Sequence, residues 1–309
     1  MRSASLHIAI LALMGVLFVV LPTYYAGNLS RIMVLAIYAM GYNILFGYTG
    51  LLSLGHAMFF AAGMYGFGLS VQLGGLHLVP AFVVGILCAT ALAAVIGFLA
   101  LRTVGAAFMI TTLMFAQALY LLVLYFGEYT GGDEGFVIQQ AQRMLWGIDL
   151  TGDTERFLAA FALFSVCFLG IAWLVRTPFG KTLVAVRENE ERTKMLGYDT
   201  SRHKLLAMIL SGAFAGVSGA GFALLFGYVG ATFATVQYSI YPLLWVLLGG
   251  AGTTIGPLIG VFFMFYLIDF SSTYTEAYML FAGLALVLLA MFAPAGIGGA
   301  IRKRVPWLP

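Results

Sequence analysis

The sequence predicts an all-α integral membrane protein: a polytopic helical bundle of about ten crossings, including short broken helices, with the N- and C-termini cytoplasmic. Three observations carry this. Of 309 residues, 62% are hydrophobic and only 9% charged, with a mean hydropathy of +1.01. An average soluble domain is about 25% charged, so this chain is too poor in charge to solvate a globular surface, and its solvent is lipid. The apolar residues gather in runs close to the ~20 residues that a helix needs to cross a bilayer. The charges between those runs separate by sign, as the positive-inside rule requires.

The first run, 6–21, follows Arg2. It has the form of a signal-peptide core and equally of a first membrane anchor; retention as an anchor is expected. Further runs cover 32–45, 54–73, 78–101, 106–126, 157–175, 205–226, 238–248, 257–270 and 277–292. No hydrophilic stretch is long enough for a second domain. The chain reads as one membrane domain, 1–309, with an external loop at 128–156 and a cytoplasmic loop at 176–204.

Arg176, Lys181, Arg187, Arg192, Lys194, Arg202 and Lys204 make 176–204 the most basic loop, and Arg302, Lys303 and Arg304 mark the C-terminus. Both are placed inside. Counting back puts 128–156 outside, Arg102 inside, the 74–76 turn outside, 47–54 inside, 24–31 outside and Arg2 inside. Of the basic residues, only Arg31, Arg143 and Arg156 then fall outside. Lys204 and Arg302 on one side require an even number of crossings between them, but 205–226, 238–270 and 277–292 would make three. The run 238–270 must therefore enter and return on one face, bending at GGAGTTIGP (249–257). Two short helices satisfy this, and so does a half-depth re-entrant hairpin.

A similar interruption is GYTGLLSLGHAMFF (47–60), at the inner end of a helical hairpin. Gly47, Gly50 and Gly55 supply tight turning or close approach. Thr49 and Ser53 can satisfy backbone groups freed by a break. His56 opens the next helix. As a metal ligand it lacks partners, because His7, His77 and His203 belong to distant segments; packing, hydrogen bonding or lining a path remain. Asn43, Gly50, Ser53, His56, Gly250 and Gly252 are the candidates for a transport path or hinge. The spacings Gly212/Gly216 and Gly252/Gly256/Gly260 suit close helix approach.

Several function classes are disfavoured. Ion-coupled carriers and membrane enzymes usually keep ionisable residues within the bilayer. Here Asp269 is the exception, near the outer end of its helix, where a carboxylate reaches interfacial water. No paired carboxylates and no catalytic motif occur. FGKT (179–182) follows a membrane helix rather than a strand, and Val175 stands where a phosphate-binding loop needs its first glycine. Cys88 and Cys167 lie in apolar runs with no disulfide or metal spacing. No basic patch outside the loops points to nucleic acid.

The loop RTPFGKTLVAVRENEERTKMLGYDTSRHK (176–204) contains two helix starts. Thr177–Pro178 is an N-cap followed by proline at the first helical position. Asn189 caps a second helix with Glu190 and Glu191 in its first turn, and Gly197 closes it. Two short helices joined at 187–189, mixed in charge and partly apolar, suit a protein partner. A solvated loop is the plainer alternative.

GYNILFGYTGLLSLGHAMFFAAGMYG (41–66) resembles the signature of permease subunits in branched-chain amino-acid ABC importers. TGGDEGF (130–136) is similar to the external motif of their M-type permease. The stretch 180–224 resembles their coupling loop and following helix, and WVLLGGAGTTIGPLIGVFF (245–263) their late glycine-rich motif. APAGIGG (293–299) departs from the pattern, which usually has a basic residue after the proline. The resemblance implies a permease working by alternating access in a bacterial inner membrane. Its partners would be a homologous second permease subunit, two cytoplasmic ABC ATPases and an external substrate-binding protein. The chain itself would bind no cofactor, with ATP and Mg in the ATPase subunits. Thr182, Arg187, Glu188, Asn189 and Glu190 are the expected ATPase contacts. Glu128, Asp133 and Glu134 are the expected dock for the binding protein. The implied cargo is branched-chain or other small amino acids, with urea or small carboxylates as alternatives. A stand-alone carrier or channel is the competing class.

Overall fold

Pro22 occupies the N-cap of the second helix, and the chain turns there between α1 (Arg2–Val20) and α2 (Thr23–Asn43). The computed structural model describes residues 2–20, 22–145, 148–274, 277, 280, 283–284, 287, 291 and 296–299. Most of the expected run 277–292, and the basic residues Arg302, Lys303 and Arg304, lie outside the described residues. The expected outer loop 24–31 is corrected: it forms the first turns of α2. Arg31 interrupts the apolar pattern but does not end the helix, because its guanidinium sits 5.2 Å above the Phe226 ring, a contact that offsets the cost of the charge.

The remaining principal helices are α3 (Ala57–Gln72), α4 (Leu78–Ala100), α5 (Ala106–Tyr125), the short α6 (Gly127–Thr130), α7 (Asp153–Leu174), α8 (Pro178–Glu188), α9 (Glu190–Met195), α10 (Thr200–Phe226), α11 (Val236–Gly249) and α12 (Gly256–Tyr274). Among the described residues, six helices are long and apolar enough to cross a membrane: Tyr24–Tyr48, Leu78–Ala100, Ala106–Tyr125, Asp153–Leu174, Thr200–Phe226 and Gly256–Thr273. The chain is thus a mostly helical multi-pass membrane protein. In the most apolar stretch of α2, 89% is buried, against 22% for α5. Hence α2 is the central post and α5 presents most of its surface to lipid.

Small residues let α10 lie against α3 and α4. A Cβ on Gly212 or Gly216 would collide with Ala93 or Ala89 of α4, and one on Gly219 with the Phe60 carbonyl of α3. Lipid offers no hydrophobic drive between helices, so this close approach and interhelical hydrogen bonds supply the cohesion. Ser211 and Ser218 of α10 donate to the carbonyls of Gly41 and Val34 on α2, each at 2.6 Å.

The helices α11 and α12 form a hairpin just as tight. Gly249 meets Gly256, and Gly260 meets the Trp245 carbonyl, with no space for a side chain. With 14 residues, α11 is about 21 Å long at 1.5 Å per residue, short of the ~30 Å hydrocarbon core. Gly252 lies in the turn at φ +75°, so the expected three-glycine face reduces to Gly256 and Gly260.

Beyond the far end of α5, the strands Phe136–Val137 and Tyr228–Val229 pair antiparallel and tie the segment after α6 to the end of α10. At the opposite end lie α8 and α9, capped as the spacing predicts. The Thr177 side chain accepts from the Gly180 amide at 3.4 Å, Asn189 from that of Arg192 at 2.9 Å, and Gly197 turns at φ +88°. The next helix starts earlier than the apolar run: Asp199 caps α10 by accepting from the Arg202 amide at 3.0 Å, which places Lys204 on the helix rather than in the loop.

Candidate functional site

Two breaks in the helices lie side by side. At the first, α2 widens into a π-helical turn, Ile44–Tyr48. Gly50 then takes φ +79°, and the chain stays irregular until α3. Specific partners take up groups freed by the break, as a buried break demands. The Thr49 hydroxyl donates to the Ile44 carbonyl at 2.9 Å, and the Tyr42 hydroxyl to that of Ser53 at 2.9 Å. The Leu54 amide donates to Thr112 at 3.2 Å, the Gly55 amide to the Ser53 hydroxyl at 3.3 Å, and the Ala57 amide to Ser239 at 2.9 Å.

His56 is fully buried. Its Nε2 lies 3.1 Å from Ser211 Oγ, whose single hydrogen is already given to Gly41. The imidazole must therefore carry its proton on Nε2 and donate to Ser211. The ring lies near-parallel to Tyr38 at 5.7 Å and edge-on to Tyr42 and Phe59 at 5.0 and 5.2 Å. In this conformation the aromatic box leaves His56 packed and hydrogen-bonded beside the first break.

The second break is the turn between α11 and α12. Gly250 and Gly252 hold φ of +112° and +75°, and Thr253 caps α12 by accepting from the Gly256 amide at 3.0 Å. Asn43 joins the two breaks. Its Nδ2 donates to the Thr253 carbonyl at 2.8 Å, and its Oδ1 accepts from the Gly252 amide at 2.9 Å. A Cβ on Gly47 would strike both Asn43 and the Gly252 amide; only glycine fits there.

Arg187, in the last turn of α8, brings the cytoplasmic segment onto this junction. Its guanidinium donates to the Gly47 carbonyl, a group left unpaired by the irregular helix end. A Cβ on Gly50 would touch the Arg187 stem at 2.9 Å, and one on Gly252 its guanidinium at 2.8 Å. Asn43, Gly50, Gly252 and Arg187 thus form one cluster, with Ser53, His56 and Gly250 around it.

The other expected ATPase contacts divide. Glu188 and Asn189 are exposed at the α8–α9 corner. Thr182 is buried and donates to the Pro178 carbonyl at 2.9 Å; it faces the protein interior, which corrects its place among surface contacts. Glu190 turns back to Lys204, with Thr200 at 3.1 Å and Lys194 at 3.4 Å. Partial burial works to raise the Glu190 carboxyl, but Lys204, Thr200 and Lys194 together hold it below its ordinary 4.5. Glu128, Asp133 and Glu134 are all exposed at the opposite end, where Tyr228 donates to the Glu134 carbonyl at 3.0 Å. Tyr42, Thr112, Ser211 and Ser239 complete the hinge without any signal in the sequence. Each is a hydroxyl that no motif sets apart from its neighbours, and only the fold gives it a partner.

Comparison with known proteins adds independent findings. A family described as the permease component of branched-chain amino acid transport systems matches residues 24–291. The high-affinity branched-chain amino acid transport system permease protein LivM of Salmonella typhimurium is 29% identical, over 86% of this chain and 68% of the relative. Its Escherichia coli K12 counterpart matches to the same extent. The autoinducer 2 import system permease protein LsrC of Photorhabdus laumondii is 30% identical over only 33% of this chain and 32% of its own. No solved structure matches.

Proposed function

The chain belongs to the family of permease components of branched-chain amino acid transport systems, and from that premise we propose that it carries branched-chain or other small amino acids inward by alternating access. It is a transmembrane permease subunit of an ABC importer. The amino-acid cargo is favoured over other solutes because the relatives named for amino acids match most of this chain, whereas the match to the autoinducer permease covers a third. In this reading the chain pairs with a second, homologous permease. Two cytoplasmic ATPases hold ATP and Mg, and an external binding protein delivers the cargo to the face bearing Glu128, Asp133 and Glu134. The membrane is the bacterial inner membrane, crossed about ten times with both termini cytoplasmic. In support of that topology, His7 of α1 lies 3.3 Å from Thr254 and Gly296 packs on Gly250, both at the end where α8 and α9 lie.

The observation that carries the mechanism is Arg187. A rigid two-helix projection ends in a guanidinium seated on both helix breaks. An ATPase that pulls on Glu188 and Asn189 moves Arg187 with them. The Gly47 carbonyl, Gly50 and Gly252 then shift together, which re-angles α2 against the α11–α12 hairpin. Transport therefore needs Arg187 for its hold on the Gly47 carbonyl. Arg187→Ala in the assembled importer should abolish most ATP-driven uptake in proteoliposomes while the ATPases still co-purify and hydrolyse ATP. Uptake at the wild-type rate in this variant would reject the mechanism.

A further inference from the structure

Between α2, α11 and α12, away from the hinge cluster, lies a cleft of about 260 Å³ lined by Leu35, Tyr238, Tyr241, Trp245, Phe265 and Asp269 among others. It is smaller than the roughly 300–1,000 Å³ of drug-sized ligand sites and suits a small solute. The composition of its wall is unusual for a surface facing lipid. Tyr241 and Trp245 lie parallel at 5.8 Å, and Tyr238 stands edge-on to Tyr241 at 5.7 Å, so two aromatic surfaces meet at a right angle. The charged group at this corner is Asp269.

The half-buried Asp269 carboxylate has acceptor sites that no protein group fills among the described residues. Tyr24 offers one hydroxyl hydrogen, its oxygen 3.3 and 3.4 Å from the two carboxylate oxygens, whereas a carboxylate has about four acceptor sites. Among the described residues, no Lys, Arg or His forms an ion pair with it. The neighbouring Ser272 hydroxyl is committed to the Asp269 carbonyl at 2.9 Å. A half-buried carboxylate near the outer end of a membrane helix, with no protein cation beside it among the described residues, can meet a cation that arrives from the external side. Aromatic faces converging beside a carboxylate attract a cation through both the ring quadrupole and the charge.

We propose that this cleft is a transient binding subsite for the ammonium group of a zwitterionic amino acid on its way through the permease. The proposal rests on the amino-acid reading above and adds the group on this chain that recognises the cargo. Asp269 takes the ammonium, Trp245 and the tyrosines cover it, and Leu35 and Phe265 meet an aliphatic side chain. The cleft also has a route to the hinge. Tyr238 lies near-parallel to Tyr38 at 6.0 Å, and Tyr38 in turn lies near-parallel to His56 at 5.7 Å. Occupancy therefore presses on the ring stack that seats His56.

The test uses the permease–ATPase complex in nanodiscs, without the external binding protein, and saturation-transfer NMR with three probes of one skeleton: leucine, isopentylamine and 2-hydroxy-4-methylpentanoate. Leucine and the amine should receive saturation, the hydroxy acid should not, and Asp269→Asn should remove both signals. ATP-driven leucine uptake, measured with the binding protein added, should fall about tenfold in that variant, the scale of one desolvated cation contact. Asp269→Glu, which keeps the charge, should restore most of the uptake and so separates loss of the site from loss of the fold. Equal saturation by the hydroxy acid, or unchanged leucine signal and uptake in Asp269→Asn, would overturn the subsite alone. A wild-type importer that takes up no amino acid would overturn the cargo assignment itself.

Discussion

At the scale of single residues, Asn43 carries the most structure per atom. One amide side chain closes two hydrogen bonds to a turn 209 and 210 positions away. Interhelical bonds in membranes average only ~0.6 kcal/mol, which would make Asn43→Ala mild. That average assumes the partners find other bonds. The Gly252 amide and Thr253 carbonyl sit in a tight turn packed against Gly47, so the cost approaches the ~1–3 kcal/mol of an orphaned buried group. Asn43→Ala should lower the apparent melting temperature of the purified chain by several degrees and reduce uptake, whereas Asn43→Gln should not restore either. An unaltered melting curve would mean that the two breaks hold together without this bridge. Asn43 and Gly252 were each among the sequence's candidates for a path or hinge. Their pairing did not, because nothing in either segment records the register of a contact across most of the chain. His56 was equally visible as a polar intruder, but its role depended on Ser211 and Tyr38, which look ordinary in sequence.

At the scale of elements, the α8–α9 projection separates groups that fix its shape from groups left for a partner. Glu190 belongs to the first kind. Its carboxylate ties α9 to Lys204 on α10, and its folded value is lowered. The tie therefore contributes fully above pH 4.5 and is lost as pH falls through the lowered value, so it is intact at neutral pH. The pair is partly exposed, and such pairs are worth about 0–1 kcal/mol. Glu190→Gln should cost little global stability but increase amide exchange in α9. Glu188 belongs to the second kind. Glu188→Ala should weaken ATPase co-purification severalfold and leave both melting and α9 exchange at wild-type levels. If the two variants behaved alike, the division would fail. The helix caps here were legible in sequence because Thr177, Asn189 and Gly197 act on their immediate neighbours. The start of α2 was not, since Arg31 is stabilised by Phe226, a residue from another helix.

At the scale of the whole molecule, charge asymmetry and helix geometry make one joint prediction about sidedness. The segment with exposed Asp133 is paired by its strand to the far end of α10, and Glu188 lies beyond the near end. Since α10 is 27 residues long, about 40 Å at 1.5 Å per residue, it is long enough to hold its two ends on opposite sides of a ~30 Å hydrocarbon core. The short α11 does not disturb this parity, because the α11–α12 hairpin returns to the side it left. In a background of Cys88→Ala and Cys167→Ala, an impermeant maleimide added to right-side-out vesicles should label Asp133→Cys directly. Glu188→Cys should react only after permeabilisation, and so should Arg102→Cys, which follows the inner end of α4. Labelling of Glu188→Cys in sealed vesicles would invert the topology and take the ATPase-facing role of α8 and α9 with it. Labelling of Arg102→Cys alone would instead move the error to α5, which presents most of its surface to lipid.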